Sequence, residues 1–435
     1  MNLLIKNGRV IDPQNKIDDR LDILVINGKI SKVSKNIVPQ NETGIPSETL
    51  KEIKEIDVAG KIVCPGFIDM HTHLREPGRE DEETIRSGTL AAAYGGFTSI
   101  ACMPNTEPVN DNKAVTDFII SKAKREGSVN VFPVGSITKG LEGKQLSEIG
   151  DLAETGCVGF SDDGKSVQNS ELLRRAMEYA KMFSLPIISH CEDETLAANG
   201  AMNEGFVSTE LGIKGIPNIA EEIVVARDIL ISRMAGAHLH LTHLSTAGSL
   251  ELVKWAKNLG YKVTSDAAIH HLILTDEALR TYDTNLKMKP PLRTQKDIDA
   301  LISGLKSGLI DAIVSDHAPH LLAEKDVELN NAPFGIIGLE TEVSLALSLV
   351  HKNLLDLKTV ISSFTVNPAK ILSLDKGSLS VGKDADITIL DLEREYKVDA
   401  KNFKSLSKNS PFIGWNLKGR PVAAIVGGKI VYCLD

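Results

Sequence analysis

Short apolar runs recur through the middle of the chain, and longer amphipathic stretches separate most of them. The apolar runs have the length of β-strands and cover residues 66–73, 98–103, 130–135, 157–161, 186–190, 238–244, 261–266 and 310–316. Stretches with helical periodicity cover residues 170–183, 220–235, 249–259 and 295–307. Strands that alternate with helices predict a parallel sheet, and eight such strands close a barrel. We therefore predict an α/β fold with a (β/α)8 TIM-type barrel over residues 64–374.

The two ends of the chain show a different pattern, with short strands and few helical stretches. Strand-like runs cover residues 3–6 and 22–26 at one end and 385–390, 422–426 and 429–432 at the other. Asn7-Gly8, Asn27-Gly28 and Gly427-Gly428 are typical of tight turns between strands. Neither end alone contains a complete small domain. We predict that residues 1–63 and 375–435 pair into one small β-sandwich domain outside the barrel.

Composition agrees with this division. Hydrophobic residues make up 42% and charged residues 25% of the 435 residues, as in an ordinary globular protein. Aromatic residues make up only 4%, so the core is expected to be mostly aliphatic. Because a bare barrel needs about 250 residues, the composite domain accounts for part of the remaining length.

Charge and cysteine content exclude several classes of protein. The net charge of −9 argues against a nucleic-acid binder or a protein that binds anionic membranes. No apolar run approaches the roughly 18 residues of a membrane span, and no signal peptide is visible at the N-terminus. The number of cysteines is odd, and they are well separated: Cys64, Cys102, Cys157, Cys191 and Cys433. A reducing, cytoplasmic location is the simplest interpretation.

Residues that can bind metal ions follow five of the predicted strands. In barrel enzymes the chemistry takes place at the carboxyl ends of the strands, and polar side chains in a packed core would be costly without a function. The candidates are His71 and His73 at strand one, Asp162 and Asp163 after strand four, His190 at strand five, His243 at strand six and Asp316 at strand eight. Their common position predicts a metal site at this end of the barrel.

The pair His71-Thr72-His73 has a distinctive context. Alternation along a strand places both imidazoles on one face, where they can bind one cation. The stretch Pro65-Gly66-Phe67-Ile68-Asp69-Met70-His71-Thr72-His73 resembles the amidohydrolase superfamily, and His73-Leu74-Arg75-Glu76-Pro77-Gly78 resembles the long-chain bacterial and archaeal dihydroorotases. Further similar stretches follow in family order at residues 102–106, 160–164, 189–192, 243–246, 315–320, 334–335 and 382–386. The resemblance covers essentially the whole chain.

The resemblance implies a site for one or two zinc ions per subunit. His71 and His73 would bind the first zinc, and His190 and His243 would hold the second. An aspartate after strand four would bridge or neighbour the second metal, and the family spacing favours Asp163 over Asp162, for which a turn cap is the alternative. The resemblance also makes Asp316 a ligand of the first metal and the catalytic proton shuttle. Imidazole nitrogens and carboxylate oxygens are suitable zinc ligands.

Many superfamily members bridge two metals with a carboxylated lysine at the end of strand four. The end of this strand, Gly159-Phe160-Ser161, contains no lysine, and Lys165 is interpreted as a solvated loop charge. A carboxylated-lysine mechanism is therefore disfavoured.

The choice of substrate depends mainly on Arg75. A guanidinium is a planar fork that matches a carboxylate, and dihydroorotate carries a carboxylate on its ring. Allantoinases that resemble this stretch tend to have asparagine at this position. The resemblance adds Asn105 and His320 as further partners of the carboxylate. It also places His73 and the backbone of Phe334-Gly335 among the substrate contacts.

Two other features bear on the pocket. At Lys289 the family usually has an asparagine that contacts substrate, so Lys289 either replaces it or turns outward. Residues 318–338 form a long polar stretch directly after Asp316, which we interpret as a lid over the substrate. A disordered surface loop is the alternative.

We therefore expect a zinc-dependent dihydroorotase that interconverts N-carbamoyl-L-aspartate and L-dihydroorotate in pyrimidine biosynthesis. One alternative is another cyclic amidase, such as an allantoinase or a hydantoinase. Another is an inactive relative that serves only as a partner of aspartate transcarbamoylase, but the retained ligands disfavour it. We also expect a homodimer, and association of an active enzyme with aspartate transcarbamoylase stays open.

Overall fold

A computed structural model describes residues 1–42 and 46–434 of the chain. The strands, in chain order, are β1 (Leu3–Asp12), β2 (Ile17–Ile26), β3 (Lys29–Ser34), β4 (Lys54–Asp57), β5 (Ile62–Pro65), β6 (Phe67–Thr72), β7 (Phe97–Cys102), β8 (Asn130–Pro133), β9 (Ile187–Ser189), β10 (Met202–Asn203), β11 (Gly215–Ile216), β12 (Leu239–Leu241), β13 (Val263–Ala268), β14 (Ala312–Val314), β15 (Ile387–Lys397), β16 (Asn416–Val426) and β17 (Lys429–Cys433).

The helices are α1 (Ser47–Lys51), α2 (Ile85–Tyr94), α3 (Lys113–Glu126), α4 (Ile149–Thr155), α5 (Ser170–Met182), α6 (Glu194–Ala197), α7 (Phe206–Leu211), α8 (Ile219–Ala235), α9 (Ala247–Asn258), α10 (Gln295–Ser307), α11 (Leu322–Lys325), α12 (Glu342–His351), α13 (Leu357–Phe364) and α14 (Val366–Ile371). The four helices predicted from periodicity correspond to α5, α8, α9 and α10, with ends within two residues of the prediction.

The central strands form the predicted barrel. Strands β6, β7 and β8 pair in parallel, and β9, β12, β13 and β14 form a second parallel set. Phe160 joins the two sets, because it forms parallel bridges to Gly135 and Ile187. A bridge between Thr72 and His317 closes the circle. The predicted fourth strand is thus reduced to a single bridging residue, and the (β/α)8 class is confirmed.

Strands from both ends of the chain form one mixed sheet, as predicted. Its order is β17-β16-β15-β5-β1-β2-β3, and β4 pairs with β1. The neighbouring strands are antiparallel except for the pairs β1–β4 and β1–β5. Leu3, Ile23, Ile387 and Ile425 pack in a common buried cluster, so both ends contribute to one core.

The two Asn-Gly pairs near the N-terminus have different roles. Asn27 and Gly28 both have positive φ, 51° and 78°, and they connect β2 to β3 as the predicted hairpin turn. The turn predicted at Asn7-Gly8 was wrong. Strand β1 continues through these residues to Asp12, with a bulge between Ile5 and Gly8 where Asn7 has φ 66°. A bulge needs the same left-handed backbone that a tight turn needs, so the sequence signal is shared.

Packing between the barrel and its helices is aliphatic. The largest buried cluster joins strands and helices, and a smaller cluster contains Met70, Ala101, Ile188, Ala268 and Val314 from five strands. The cysteines in the described part of the chain are all free. Among residues 1–42 and 46–434, none of the helices has the length and apolar character to cross a membrane.

Candidate active site

Strand ends bring the predicted metal ligands together at one end of the barrel. His71 lies in β6 and His73 directly follows it, while His190 directly follows β9. His243 and Asp316 lie two residues beyond β12 and β14, and Asp163 lies three residues beyond the bridge residue Phe160. All six side chains are buried. Residues that are far apart in sequence thus meet because parallel strands end at the same rim.

Asp163 connects two groups of histidines through its two carboxylate oxygens. Its Oδ2 lies 3.3 Å from His71 Nε2 and 3.5 Å from His73 Nε2. Its Oδ1 lies 3.3 Å from His243 Nε2 and 3.6 Å from His190 Nδ1. Each group, taken with Asp163, has the spacing of a metal-binding set. The carboxylate therefore lies where a bridge between two cations would be.

Asp316 completes the first group. Its Oδ1 lies 3.6 Å from His71 Nε2 and 3.4 Å from His73 Nε2. His71 Nε2 is buried and has no hydrogen-bond partner among the described residues, although it faces two carboxylates. An imidazole nitrogen in these surroundings suits a metal ion, and this donor set of nitrogen and carboxylate oxygen fits zinc.

Electrostatics show that the cluster attracts positive charge. Burial raises the pKa of the Asp163 carboxyl, but the charge of His71 and hydrogen bonds from His190 and His243 hold it well below its ordinary value. Burial likewise opposes ionisation of Asp316, yet a hydrogen bond from His73 and the charge of His71 lower its pKa. Burial lowers the pKa of His71, whereas Asp163 and Asp316 raise it to about 10. Without a metal, a proton on His71 supplies the positive charge that the carboxylates attract.

Hydrogen bonds behind the ligands orient the imidazoles. His71 Nδ1 lies 2.8 Å from Thr242 Oγ1, and the Thr242 hydroxyl donates to Asp266. His73 Nδ1 donates to Asn105 Oδ1 at 2.8 Å. Each contact leaves Nε2 of the histidine facing the carboxylates. Such supporting contacts fix the tautomer and direction of a metal-binding histidine.

Three site residues have a strained backbone. Arg75, His243 and Asp316 have φ values of 58°, 39° and 49°, in the left-handed region that side chains other than glycine rarely adopt. Each such conformation costs on the order of 1–3 kcal/mol and persists only where the surroundings enforce it. The fold therefore tolerates strain where it directs these side chains into the site.

A cavity of about 260 Å³ opens directly above the metal-ligand cluster. Five of the six predicted metal ligands line it, together with the predicted contacts of the substrate carboxylate. The lining residues are His73, Arg75, Asn105, Asp163, Gly164, His190, His243, Lys289, Asp316, Ala318, His320, Phe334 and Gly335. His71 lies deeper and does not line the cavity. The structure thus brings every predicted substrate contact into one pocket.

Arg75 and His320 share a partner that the sequence did not single out. Arg75 Nε lies 3.0 Å from Glu82 Oε2 and donates to the Pro319 carbonyl at 3.2 Å. His320 Nδ1 lies 3.1 Å from Glu82 Oε1, and its Nε2 lies 2.8 Å from the Phe334 carbonyl. Glu82 is one of four consecutive acidic residues, a pattern more typical of a solvated surface, so sequence alone gave no reason to choose it.

Residues 318–338 are ordered and tied down on several sides. Lys287 Nζ donates to the carbonyls of Leu329 and Asn330, and Lys325 Nζ donates to that of Pro333. The segment contains the short helix α11. Residues of the segment line the pocket, as the lid interpretation requires. Its many contacts hold it in one position. The alternative of a disordered loop does not fit these contacts.

Asn409 fastens the segment from the C-terminal part of the chain. Its Nδ2 donates to the carbonyls of Ala318 and Gly335, and its Oδ1 accepts from the His320 N–H. The Gly335 N–H donates to the Lys287 carbonyl. Among the described residues, the Phe334 N–H donates no hydrogen bond, so it is the backbone donor left for a ligand at this dipeptide.

Lys289 and Asp162 each have two interpretations from sequence, and the structure distinguishes them. Lys289 lines the cavity, and its Nζ lies 2.6 Å from Glu192 Oε1. Glu192 is buried and was not predicted as a site residue. Asp162 points away from the ligand cluster, because its Oδ1 accepts from the N–H groups of Ile137 and Thr138. This is the turn-capping arrangement considered as its alternative.

Comparison with known proteins gives consistent family matches. A family model described as Dihydro-orotase-like matches residues 60–249, and one described as Amidohydrolase family matches residues 349–432. The chain is 56% identical over 432 residues to a protein named dihydroorotase from Geobacter metallireducens, which covers 99% of this chain and 100% of that one. It is 50% identical over 435 residues to the one from Syntrophus aciditrophicus, with full coverage of both chains.

Solved structures share the architecture over nearly the whole length. An L-hydantoinase (dihydropyrimidinase) from Arthrobacter aurescens superposes with a TM-score of 0.88 at 28% identity, covering 99% of this chain and 96% of that one. A dihydropyrimidinase from Brevibacillus agri gives 0.85 at 22% identity, covering 100% and 95%, and supports the fold alone. The fold is thus common to several cyclic amidases, whereas the full-length identity is to one kind of protein. The chain belongs to the dihydroorotase family of the amidohydrolase superfamily.

Proposed function

We propose that the protein is a metal-dependent dihydroorotase that interconverts N-carbamoyl-L-aspartate and L-dihydroorotate in pyrimidine biosynthesis. The observation that carries this proposal is one cavity that combines a histidine–aspartate cluster with the guanidinium of Arg75. The cluster suits hydrolysis of a cyclic amide, and the guanidinium suits a substrate that carries a carboxylate.

The proposed metal is zinc, with one or two ions per chain. His71, His73, Asp163 and Asp316 would hold the first ion, and Asp163, His190 and His243 would hold the second. When bound, zinc polarises a carbonyl and makes water a better nucleophile at neutral pH. The two oxygens of Asp163, each facing a different histidine group, support the two-ion arrangement.

The chain's own residues supply binding and proton transfer. We propose that Arg75 receives the substrate carboxylate through its two Nη groups, with Asn105 and His320 beside it. Arg75 Nε is already used by Glu82 and Pro319, and neither Nη donates a hydrogen bond within the described part of the chain. The fork is therefore available to a carboxylate, which binds a guanidinium in a bidentate way.

Asp316 is the proposed acid and base. In the hydrolytic direction water adds to the ring amide carbonyl, and the Asp316 carboxylate accepts the proton that this water loses. The C–N bond then breaks, and Asp316 returns the proton to the leaving ring nitrogen. His73 and His71 hold this carboxyl in its anionic form, which is the form that accepts the first proton.

The test compares cyclic amides on the purified full-length protein with measured zinc content. We expect kcat/KM for L-dihydroorotate to exceed that for hydantoin and allantoin by at least about a hundredfold, because only dihydroorotate satisfies Arg75. Faster turnover of hydantoin or allantoin would reject the proposal in favour of another cyclic amidase. A zinc-loaded protein without turnover of any of these substrates would favour a partner of aspartate transcarbamoylase instead.

The proposal extends to the state of the protein in the cell. We propose that the protein is a homodimer and that it is located in the cytoplasm, and the free cysteines support the second point. Light scattering coupled to size-exclusion chromatography measures the mass of the particle. Addition of aspartate transcarbamoylase from the same organism tests whether a larger complex forms.

A further inference from the structure

We propose that Glu82 is a positioning residue for substrate recognition, whose carboxylate fixes the side chains of Arg75 and His320 at the pocket. The inference rests on the proposed function, because it concerns the same carboxylate-binding side chains. Glu82 is not among the residues that line the cavity, so it acts through its neighbours and has no direct contact with substrate.

The contacts of Glu82 show how one carboxylate fixes two side chains. Its side chain is only 2% exposed. Oε2 lies 3.0 Å from Arg75 Nε, and Oε1 lies 3.1 Å from His320 Nδ1. Arg79 Nη2 also donates to Oε1, at 2.9 Å, and binds Glu324 on the far side. A buried carboxylate with three such donors has a single well-defined position.

The consequence for Arg75 is a fixed fork. The Arg75 Nε donates a hydrogen bond to the Pro319 carbonyl and forms an ion pair with Glu82, so contacts at Nε orient the guanidinium plane. The described residues leave the two Nη groups free to donate hydrogen bonds, so both can bind one carboxylate ligand. A fork that is held in place before binding loses less conformational freedom when a carboxylate arrives.

The consequence for His320 is a fixed ring. Its two ring nitrogens lie 3.1 Å from Glu82 Oε1 and 2.8 Å from the Phe334 carbonyl, so contacts on both sides fix the direction of the ring. The ring thereby connects the loop after β6, which carries Arg75 and Glu82, to the segment 318–338. Glu82 therefore fixes the position of Arg75 relative to His320, the two sides of the proposed carboxylate-binding surface.

The experiment uses the full-length, zinc-loaded protein and the variant Glu82→Gln. The amide keeps the shape of the side chain but replaces one acceptor oxygen with a donor, which opposes either Arg75 Nε or His320 Nδ1. We expect KM for L-dihydroorotate to rise by about tenfold or more and kcat to stay within about threefold, because positioning of a binding group affects mainly substrate binding.

Asp81→Asn is the matched control. It removes the same charge one residue away, from an exposed side chain whose ion pair among the described residues is a 3.7 Å contact with Arg79. We expect its kinetic constants to equal those of the parent. Melting temperature and zinc content of both variants distinguish a positioning effect from partial unfolding. If Glu82→Gln does not fold, Glu82→Asp, which keeps the charge but shortens its reach, is measured in its place and is also expected to raise KM.

A double-mutant cycle identifies the path of the effect. If Glu82 acts through its neighbours, Glu82→Gln should raise KM by a smaller factor in the Arg75→Ala background than in the parent. An unchanged KM in Glu82→Gln, or equal factors in both backgrounds, would overturn the inference. An active parent with an indifferent Glu82→Gln variant rejects this inference alone, whereas a parent that does not turn over dihydroorotate rejects the proposed function.

Discussion

Among the residues of the cavity, Arg75 is the one that we propose discriminates most between substrates. Its side chain is 12% exposed, it adopts a left-handed backbone conformation, and its Nε donates to the Pro319 carbonyl and forms an ion pair with Glu82. These features limit the guanidinium to one region of the pocket. A neutral ring such as hydantoin would leave the two Nη groups of this buried guanidinium without an acceptor, which is a larger penalty than the loss of one contact.

Arg75→Ala is therefore expected to lower kcat/KM for L-dihydroorotate by at least tens of fold, since removing one partner of a buried charge pair costs about 2–5 kcal/mol. Steady-state kinetics measure the change. Arg86→Ala is the control, because Arg86 lies on the exposed face of α2 in the same region of the sequence. Equal kinetics for Arg75→Ala and the parent would contradict the role in binding.

Among single residues, the sequence predicted those site residues whose side chains are unusual at the end of a buried strand. Histidines at strand ends and an arginine after the first strand stand out against apolar neighbours. Glu82 and Glu192 could not be found in this way, because glutamate is common on surfaces and only the folded chain shows that these two are buried. Asn409 was equally hidden, since its contacts lie 74 to 91 residues away along the chain.

At the scale of elements, segment 318–338 forms one wall of the pocket and depends on contacts from other parts of the chain. Lys287 binds its backbone from outside the segment, Lys325 binds it from within, and Asn409 binds near both of its ends. Because His320, Phe334 and Gly335 belong to this segment, its order determines part of the binding surface. Loosening it should affect substrate binding before it affects the fold as a whole.

Asn409→Ala tests this dependence. The variant leaves the carbonyls of Ala318 and Gly335 and the His320 N–H without their side-chain partner, at a cost of about 1–3 kcal/mol. We expect faster hydrogen exchange across residues 318–338 and a higher KM for L-dihydroorotate. Asn402→Ala, on an exposed position of the same C-terminal stretch, should change neither. Unchanged exchange in Asn409→Ala would show that the other contacts suffice.

Lys325 gives the same segment a dependence on pH. Burial and, to a lesser extent, the charge of Lys287 lower the pKa of its ammonium group to about 7. The ordinary value is 10.5. The unfolded chain therefore binds more protons than the folded chain between about pH 7 and 10.5, and stability is expected to rise with pH across that window.

Chemical unfolding of the parent and of Lys325→Met at a series of pH values measures the effect. The variant should lack this contribution, whose slope is at most about 1.4 kcal/mol per pH unit for one group. The difference between the two proteins is informative even though other groups titrate in the same range. Parallel stability curves from pH 7 to 10 would show that Lys325 keeps its proton on folding.

Strands and helices were predicted well where the local hydrophobic pattern determines their type and ends. The alternation of apolar strands and amphipathic helices gave the barrel and the ends of α10 to the residue. The fourth strand shrank to Phe160, and β1 ran through a predicted turn, because short pairing and bulges depend on neighbours that the local pattern does not contain. Phe160 lies only three residues before Asp163, but its reduced pairing did not change which strand ends form the site.

For the molecule as a whole, neither the fold nor the net charge selects the substrate. Hydantoinases share this architecture, with a TM-score of 0.88 for one of them. The net charge of −9 describes the whole chain, whereas the pocket contains Arg75, Lys289 and His320. An anionic substrate is therefore compatible with an acidic protein, because local charge acts within the Debye length of about 8–10 Å.

Metal binding should couple the site to the stability of the whole chain. Without a cation, the buried carboxylates of Asp163 and Asp316 lie close to the same imidazole nitrogens, and protons must supply the positive charge. A metal that binds only the folded state adds about 2.7 kcal/mol of stability at a hundredfold excess over its dissociation constant. Chelation should therefore abolish dihydroorotate turnover and lower the melting temperature by several degrees.

Calorimetry, elemental analysis and kinetics on the same chelated sample check this expectation. Zinc should restore both properties, whereas Mg²⁺ should not, because it prefers all-oxygen ligands. In Asp163→Ala, which removes the carboxylate between the two histidine groups, zinc addition should give a smaller increase in melting temperature than in the parent. Full turnover with less than about 0.1 metal per chain would contradict metal dependence, because a metal that supplies the nucleophile is required in every active molecule.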